Sequence, residues 1–156
     1  GGPLVAQLAA KSKKYIELPY VVKGMDVSFG GLLTNLKQKL KSGKYRKEDL
    51  AFSTQETIFA MLLEVSERAL AHCGKKELVL GGGVACNTRL QEMTKKMSAA
   101  RGAKAYFVPN EYNVDNAAMI AWTGVLMMKA GETLDIKKST ILPYERTDDV
   151  TVSWRE

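Results

Sequence analysis

Leu78-Val79-Leu80-Gly81-Gly82-Gly83-Val84-Ala85-Cys86-Asn87 is the stretch on which the fold turns. The apolar run from Glu77 to Leu80 reads as a short strand, the three glycines as a tight turn, and residues 84–97 as a helix. Ala105-Tyr106-Phe107-Val108-Pro109 is the next strand-like run. A strand, a crossover helix and a strand within about 30 residues make a βαβ unit, so a parallel pair inside an α/β domain is expected. Immediately upstream, residues 48–73 form the longest periodic segment. Phe52, Phe59, Leu62, Leu63, Leu70 and Cys73 fall near one face, and Gly74 stands where a helix C-terminus favours glycine. Ser53-x-x-Glu56 has the form of a capping box, but Leu50 and Phe52 put the helix start earlier, which makes Ser53 interior.

Downstream, residues 110–114 read as a loop, and Asp115 opens an apolar helix over residues 116–130 closed by Gly131. Its Met119, Met127 and Met128 are expected to fill core. Residues 150–154 alternate like an edge strand. Towards the N-terminus, residues 3–14 predict a short amphipathic helix. Residues 15–22 are β-rich, but Pro19 confines them to an edge or an irregular connection. Lys23-Gly24-Met25-Asp26 turns the chain, Val27-Ser28-Phe29 is a brief strand, and Gly30-Gly31 leads into a helix over residues 32–40 that stops near Ser42-Gly43. The expected division is a basic segment with short helices, residues 1–47, and an α/β lobe, residues 48–156. Gly1-Gly2-Pro3 is turn chemistry that joins one element to another, so the chain is expected to be a piece of a longer protein.

Of 156 residues 46% are hydrophobic and 26% charged, which excludes disorder of the whole chain. No apolar run nears the roughly 18 residues of a membrane span and no signal-peptide pattern is present, so a soluble, cytoplasmic protein is expected. Cys73 and Cys86 fit no disulfide framework and are expected to be buried thiols. The net charge of +6 is uneven: residues 1–47 hold ten Lys/Arg against Glu17 and Asp26, and residues 48–156 hold thirteen against fifteen acids. Lys11, Lys13, Lys14, Lys37, Lys39, Lys41, Lys44, Arg46 and Lys47 suit either a phosphate backbone or a merely solvated face.

Two places could carry chemistry. The glycine turn lets a backbone approach a ligand and offers helix N-terminal N–H groups to a phosphate or carbonyl oxygen. It matches neither G-x-G-x-x-G nor a P-loop, and it also reads as a plain βα turn with Asn87 in the first helical turn bonding a loop carbonyl. Asp115 is either a helix N-cap or a hard oxygen ligand for a metal, and the two roles are compatible. His72, the single histidine, sits near the C-terminus of the long helix, where a cation suits the helix dipole. With one His and two distant Cys, the chain cannot by itself assemble a Cys/His zinc site or an H-E-x-x-H protease site.

Taken in order, Gly1-Gly2-Pro3, then Leu18-Pro19-Tyr20-Val21-Val22-Lys23-Gly24-Met25-Asp26-Val27-Ser28-Phe29, then Gly82-Gly83-Val84-Ala85-Cys86-Asn87, then Asp115-Asn116-Ala117-Ala118-Met119-Ile120-Ala121, resemble one family. This is the tRNA N6-adenosine threonylcarbamoyltransferase family, the catalytic subunit of the KEOPS complex, once described as an O-sialoglycoprotein endopeptidase. The wording is that of the archaeal and eukaryotic branch, and the likeness is to the C-terminal half. The resemblance implies the second lobe of an actin-like ATPase fold. It also implies transfer of a threonylcarbamoyl group from its adenylate to the N6 amine of the adenosine beside a tRNA anticodon.

By position, Asn87 corresponds to the family's nucleotide-contacting Asn, Gly2 to the glycine of the Pro-Gly-Gly-Pro turn that touches the same ligand, and Gly82 and Gly83 to the nucleotide turn. Asp115 corresponds to the late ligand of one divalent metal, iron or zinc, whose histidine pair lies in the first half. The implied ligand is an adenine nucleotide, as threonylcarbamoyl-adenylate or ATP. The implied partners are tRNA, the missing N-terminal half, a small atypical protein kinase and other KEOPS subunits, with no membrane. Such acyl transfer needs no nucleophilic Ser or Cys, because a metal can polarise the carbamoyl carbonyl. Three positions depart from the family: Ala6 where archaeal relatives often carry Glu, Gly30 where Ser is usual, and Thr88 where a second Asn is common. A different reading is a non-catalytic module that binds an adenine nucleotide or docks the kinase, and a metallopeptidase lacks its ligands. Alone, the chain is expected to be inactive.

Overall fold

The computed structural model describes residues 1–113, 117–146 and 148–154. The chain divides into two compact units, Gly1–Val114 and Asp115–Glu156. The division expected at 47/48 is not where the compact bodies part, because the basic N-terminal segment packs on the long helix.

The first unit is built on that helix, α3 (Lys47–His72). Helix α1 (Gly2–Ala9) lies against it. The helix read over residues 3–14 stops early because residues 12–16 are drawn into another set of bonds. Ser12 Oγ donates to Asp49 Oδ1 at 2.6 Å, Ile16 N–H donates to Ser53 Oγ at 2.7 Å, and Tyr15 Oη shares a 3.0 Å hydrogen bond with Thr57 Oγ1. Asp49, Ser53 and Thr57 are spaced four apart, so they form one buried polar stripe along α3. Ser53 is interior to the helix, as read, and its hydroxyl also donates to Asp49 O at 2.7 Å.

Residues 15–22 are extended but mostly unpaired. A two-residue pair, β1 (Val22–Lys23) with β2 (Asp26–Val27), is antiparallel, with Val22 opposite Val27. Gly24, at φ 61, takes the positive-φ loop position that such a hairpin needs. Tyr20 Oη donates to Glu64 Oε2 and Arg68 Nη1 donates to Gly24 O at 2.7 Å, which ties the hairpin to α3. Partial burial, with the hydrogen bond to Glu64, pushes the Tyr20 phenol up to about 12. Helix α2 (Leu32–Lys41) follows, close to the expected 32–40.

Helix α3 ends in a Schellman turn: Gly74 at φ 61, with Lys75 N–H on Leu70 O and Gly74 N–H on Ala71 O. His72 is its last residue. Cys73 is exposed and Cys86 half-buried, so the expectation of two buried thiols fails; Cys73 lies past the packed turns of α3. Strands β3 (Glu77–Leu80) and β4 (Lys104–Phe107) pair in parallel, Val79 beside Tyr106, with α4 (Thr88–Ala100) between them in sequence. This is the βαβ unit read from the sequence. Phe59 and Leu63 of α3 and Leu90 of α4 form the core, flanked by Leu80, Met93 and Met97.

In the second unit α6 (Ala117–Lys129) has no buried residue among those described. Met119 is 44% and Met128 60% exposed, against the expected core filling. The other described residues of this unit form one 3₁₀ turn, Ile136–Lys138, and irregular chain, which cannot cover an apolar helix face. Residues 150–154 form no strand, since an alternating pattern needs a partner strand and none is described beside it. Among the described residues no helix is long and apolar enough to cross a membrane.

The buried stripe yields a prediction. Ser53→Ala leaves the Ile16 N–H without its acceptor and is expected to cost about 1–3 kcal/mol. Ser66→Ala, whose hydroxyl only bonds back to Leu62 O, is expected to cost less than about 0.5 kcal/mol. Melting temperatures of the two variants check the difference.

Candidate functional site

The turn after β3 is held from the side by one carboxamide. Asn113, 6% exposed, accepts from Gly82 N–H at 2.9 Å and donates through Nδ2 to Val108 O at 2.7 Å. It belongs to α5 (Asn110–Asn113), a single helical turn where the sequence reads as a loop. Asn113 thus joins the end of β3 to the end of β4, and no sequence motif singled it out. The only signal was an amide side chain, able to donate and accept at once, one turn beyond a strand.

Of the three glycines Gly82 alone requires glycine on backbone grounds, at φ 90. A Cβ at Gly81 or Gly83 would meet its nearest neighbour at 3.8 and 3.9 Å, which is ordinary contact. Close intramolecular packing therefore does not explain Gly83. Gly81, Gly82, Gly83 and Val84 are all exposed. Residues Gly83–Cys86 form a 3₁₀ turn, in which Ala85 N–H bonds Gly82 O. The N–H groups of Gly83 and Val84 precede the first bond of that turn and have no acceptor among the described residues.

The helix expected over residues 84–97 is interrupted at Asn87, whose backbone is extended at φ −71, ψ 117. Asn87 is the N-cap of α4 rather than a residue of its first turn bonding a loop carbonyl. Its Oδ1 accepts from Arg89 N–H at 2.9 Å and Leu90 N–H at 3.2 Å, and its Nδ2 donates to Gln55 Oε1 of α3 at 3.2 Å. A side-chain oxygen that satisfies two helix N–H groups competes well with continuing the helix. Next to it, Arg89 grips Glu56 with two parallel bonds, 2.8 and 2.7 Å, and reaches Glu92 at 2.8 Å. Glu56 and then Glu92 hold the Arg89 guanidinium above its usual range. Lys96 and then Arg89 hold the Glu92 carboxyl below its own.

Gly82, Gly83 and Asn87 therefore lie on one continuous turn. Gly2 opens α1, which packs on α3, and no described contact brings it to this turn. Asp115 lies outside the described residues. Among the described residues no three His, Cys, Asp or Glu side chains converge as metal ligands. The described donor set does not fit a metal by itself.

A model of the tRNA N6-adenosine threonylcarbamoyltransferase family matches residues 1–122. The chain belongs to this family. The tRNA N6-adenosine threonylcarbamoyltransferase of Thermococcus sibiricus is 53% identical over 99% of the chain and 48% of its own length. That of Xenopus laevis is 49% identical over 97% of the chain and 47% of its own length. A probable bifunctional tRNA threonylcarbamoyladenosine biosynthesis protein of Methanosarcina barkeri is 54% identical over 99% of the chain and 28% of its own length. The chain spans about half the length, or less, of these curated relatives. Among solved structures, T. kodakarensis HypF matches with a TM-score of 0.62 at 21% identity, over 82% of the chain and 17% of that protein, which supports a shared α/β fold alone.

Gly82 and Gly83 should not respond alike to a side chain. Gly82→Ala forces an L side chain into positive φ and is expected to cost roughly 1–2 kcal/mol. Gly83→Ala is expected to fall within about 0.5 kcal/mol of the parent. Thermal unfolding of the two variants makes the comparison.

Proposed function

We propose that this chain is the half of a tRNA N6-adenosine threonylcarbamoyltransferase that presents an adenine nucleotide to the acyl acceptor. The reaction moves a threonylcarbamoyl group from its adenylate to the N6 amine of the adenosine beside a tRNA anticodon. The observation that carries the reading is identity of about half over nearly the whole chain to proteins of that name. In this reading the chain is part of the second lobe of an actin-like ATPase fold in a KEOPS complex, beside a small atypical protein kinase, in the cytoplasm.

The exposed turn supports the placement of the nucleotide. Gly83 and Val84 have N–H groups without acceptors among the described residues, suited to an oxygen of the phosphate or acyl group. Asn87 keeps one Nδ2 hydrogen beyond its bond to Gln55, and so retains a donor for a ribose or base edge while it caps α4. Gly83, where a Cβ would be tolerated by the chain itself, keeps the approach open for something outside it. Gly2 is proposed to touch the same ligand in the assembled protein. Asp115 is proposed as one ligand of an iron or zinc ion whose other ligands lie outside this chain; when bound, such an ion would supply Lewis-acid polarisation of the carbamoyl carbonyl.

The test uses the full-length enzyme and separates capping from recognition. Asn87→Asp keeps the capping oxygen and loses the amide donor; it is expected to melt near the parent temperature, yet to raise the ATP dissociation constant by roughly 5- to 150-fold, the range for a lost bond that leaves its partner unpaired. Asp115→Asn is expected to lose metal and threonylcarbamoyl transfer to tRNA. A full-length protein that binds ATP but transfers nothing to tRNA would favour the non-catalytic docking module instead. Unchanged ATP affinity in Asn87→Asp would leave Asn87 a cap and nothing more.

A further inference from the structure

Of the ten Lys/Arg in residues 1–47, Arg46 alone has a carboxylate within ion-pair distance among the described residues, Glu48 at 3.4 Å. Further along the pattern is mixed: Arg68, Arg89, Lys96, Arg101 and Arg146 are paired, whereas Lys75, Lys76, Lys95, Lys104, Lys129, Lys137 and Lys138 have no carboxylate within ion-pair distance among the described residues. Five of the nine unpaired lysines of residues 1–47, Lys11, Lys13, Lys14, Lys44 and Lys47, are gathered at one place. The Ser12–Asp49 bond fixes Lys11, Lys13 and Lys14 against the first turn of α3, where Lys44, Arg46 and Lys47 enter. All six are exposed, and the N-terminal end of the α3 dipole adds positive potential at the same place. Of the two acids in the first turn of α3, Glu48 is half-buried and pairs with Arg46, and Asp49 is buried and bound to Ser12.

Beside this cluster is an open depression of about 430 Å³, with Lys13, Tyr15, Tyr20, Phe52, Glu56 and Met93 in its walls. Tyr15 is 52% and Tyr20 46% exposed. Their hydroxyls are nevertheless anchored to Thr57 and Glu64, which limits how far the rings can swing. Anchored, exposed rings next to unpaired lysines combine the two requirements of single-strand nucleic-acid binding, a positive track for phosphates and π surfaces for bases.

We propose that this corner is an RNA-contacting surface, in which the lysines around the start of α3 follow the phosphates of an unpaired RNA stretch and the Tyr15–Tyr20–Phe52 depression takes one unstacked base. The proposal deepens the tRNA-modifying reading and rests on it for the identity of the RNA. A neutral ring suits the depression, because Tyr15, Tyr20 and Phe52 line it and its one carboxylate, Glu56, is already paired with Arg89.

The experiment uses the full-length protein and a fluorescent tRNA, with affinity measured over a series of salt concentrations. A Lys11→Gln, Lys13→Gln, Lys14→Gln triple variant is compared with Lys75→Gln, Lys76→Gln, Lys104→Gln. The second triple removes the same charge beyond the other end of α3, about 39 Å away at 1.5 Å per residue over its 26 residues. The first triple is expected to bind tRNA more weakly and to flatten the log–log salt slope by roughly 0.7–0.9 for each phosphate that a lysine no longer neutralises. The second is expected to match the parent. Tyr20→Leu is expected to lose roughly 5- to 150-fold in affinity, while Tyr20→Phe, which drops the Glu64 bond and keeps the ring, retains most of it.

Equal affinity and slope for the two lysine triples would overturn the surface, and would point to an acidic protein partner for the lysines. Equal losses in Tyr20→Leu and Tyr20→Phe would overturn the base pocket. Threonylcarbamoyl transfer by the unaltered enzyme is measured in parallel. Transfer present with equal triples rejects this surface and keeps the function; transfer absent with unequal triples rejects the function and keeps an RNA surface.

Discussion

Residues 12–20 cross α3 without regular structure, so their backbone groups must find partners in side chains. The buried stripe Asp49, Ser53 and Thr57 holds this segment: Ser53 Oγ accepts from the Ile16 N–H, and two side-chain bonds, Ser12 to Asp49 and Tyr15 to Thr57, fasten it on either side. A nearby face of α3 bears Phe59 and Leu63 against Leu90, and Gln55 and Glu56 hold Asn87 and Arg89 at the start of α4. One helix therefore sets both the basic N-terminal segment and the turn proposed to meet nucleotide. Changes on α3 should be felt at both.

Local patterns were readable where the physics is local. Leu78 to Leu80, the glycines and Ala105 to Phe107 carry their own strand and turn signals, and the parallel pair follows from them. Gly74 likewise marked the end of α3, because a positive φ at C′ is glycine's special capacity. The break at Asn87 was hidden, since Val84, Ala85 and Leu90 continue a helical pattern across it and only the bonds of the side chain reveal the cap. Ser12, Ser53 and Thr57 were hidden for a related reason: which hydroxyl meets which partner across 37 or 42 residues, a carboxylate, a backbone N–H or another hydroxyl, is not a periodic signal.

The apolar segment at residues 117–129 and the alternation at 150–154 show what periodicity leaves out. Apolar spacing states that a face wants cover and cannot supply the cover: α6 has no buried residue among those described, and Val125, Leu126 and Met127 are only half-buried. For the candidate site, Gly82, Gly83 and Asn87 were legible as a turn and come together, whereas Asn113, which fixes Gly82, became visible only in three dimensions. Asp115 lies outside the described residues, so its two readings stand as the sequence left them.

Whether the N–H groups of Gly83 and Val84, without acceptors among the described residues, receive the nucleotide decides the functional reading of the turn. Residue-resolved amide hydrogen exchange of the full-length protein, with and without ATP, measures this directly. The expected result is fast exchange at Gly83 and Val84 in the free protein and marked slowing with ATP, while Ile16, bonded to Ser53, stays protected in both. Unchanged exchange at Gly83 and Val84 at saturating ATP would contradict nucleotide binding at this turn.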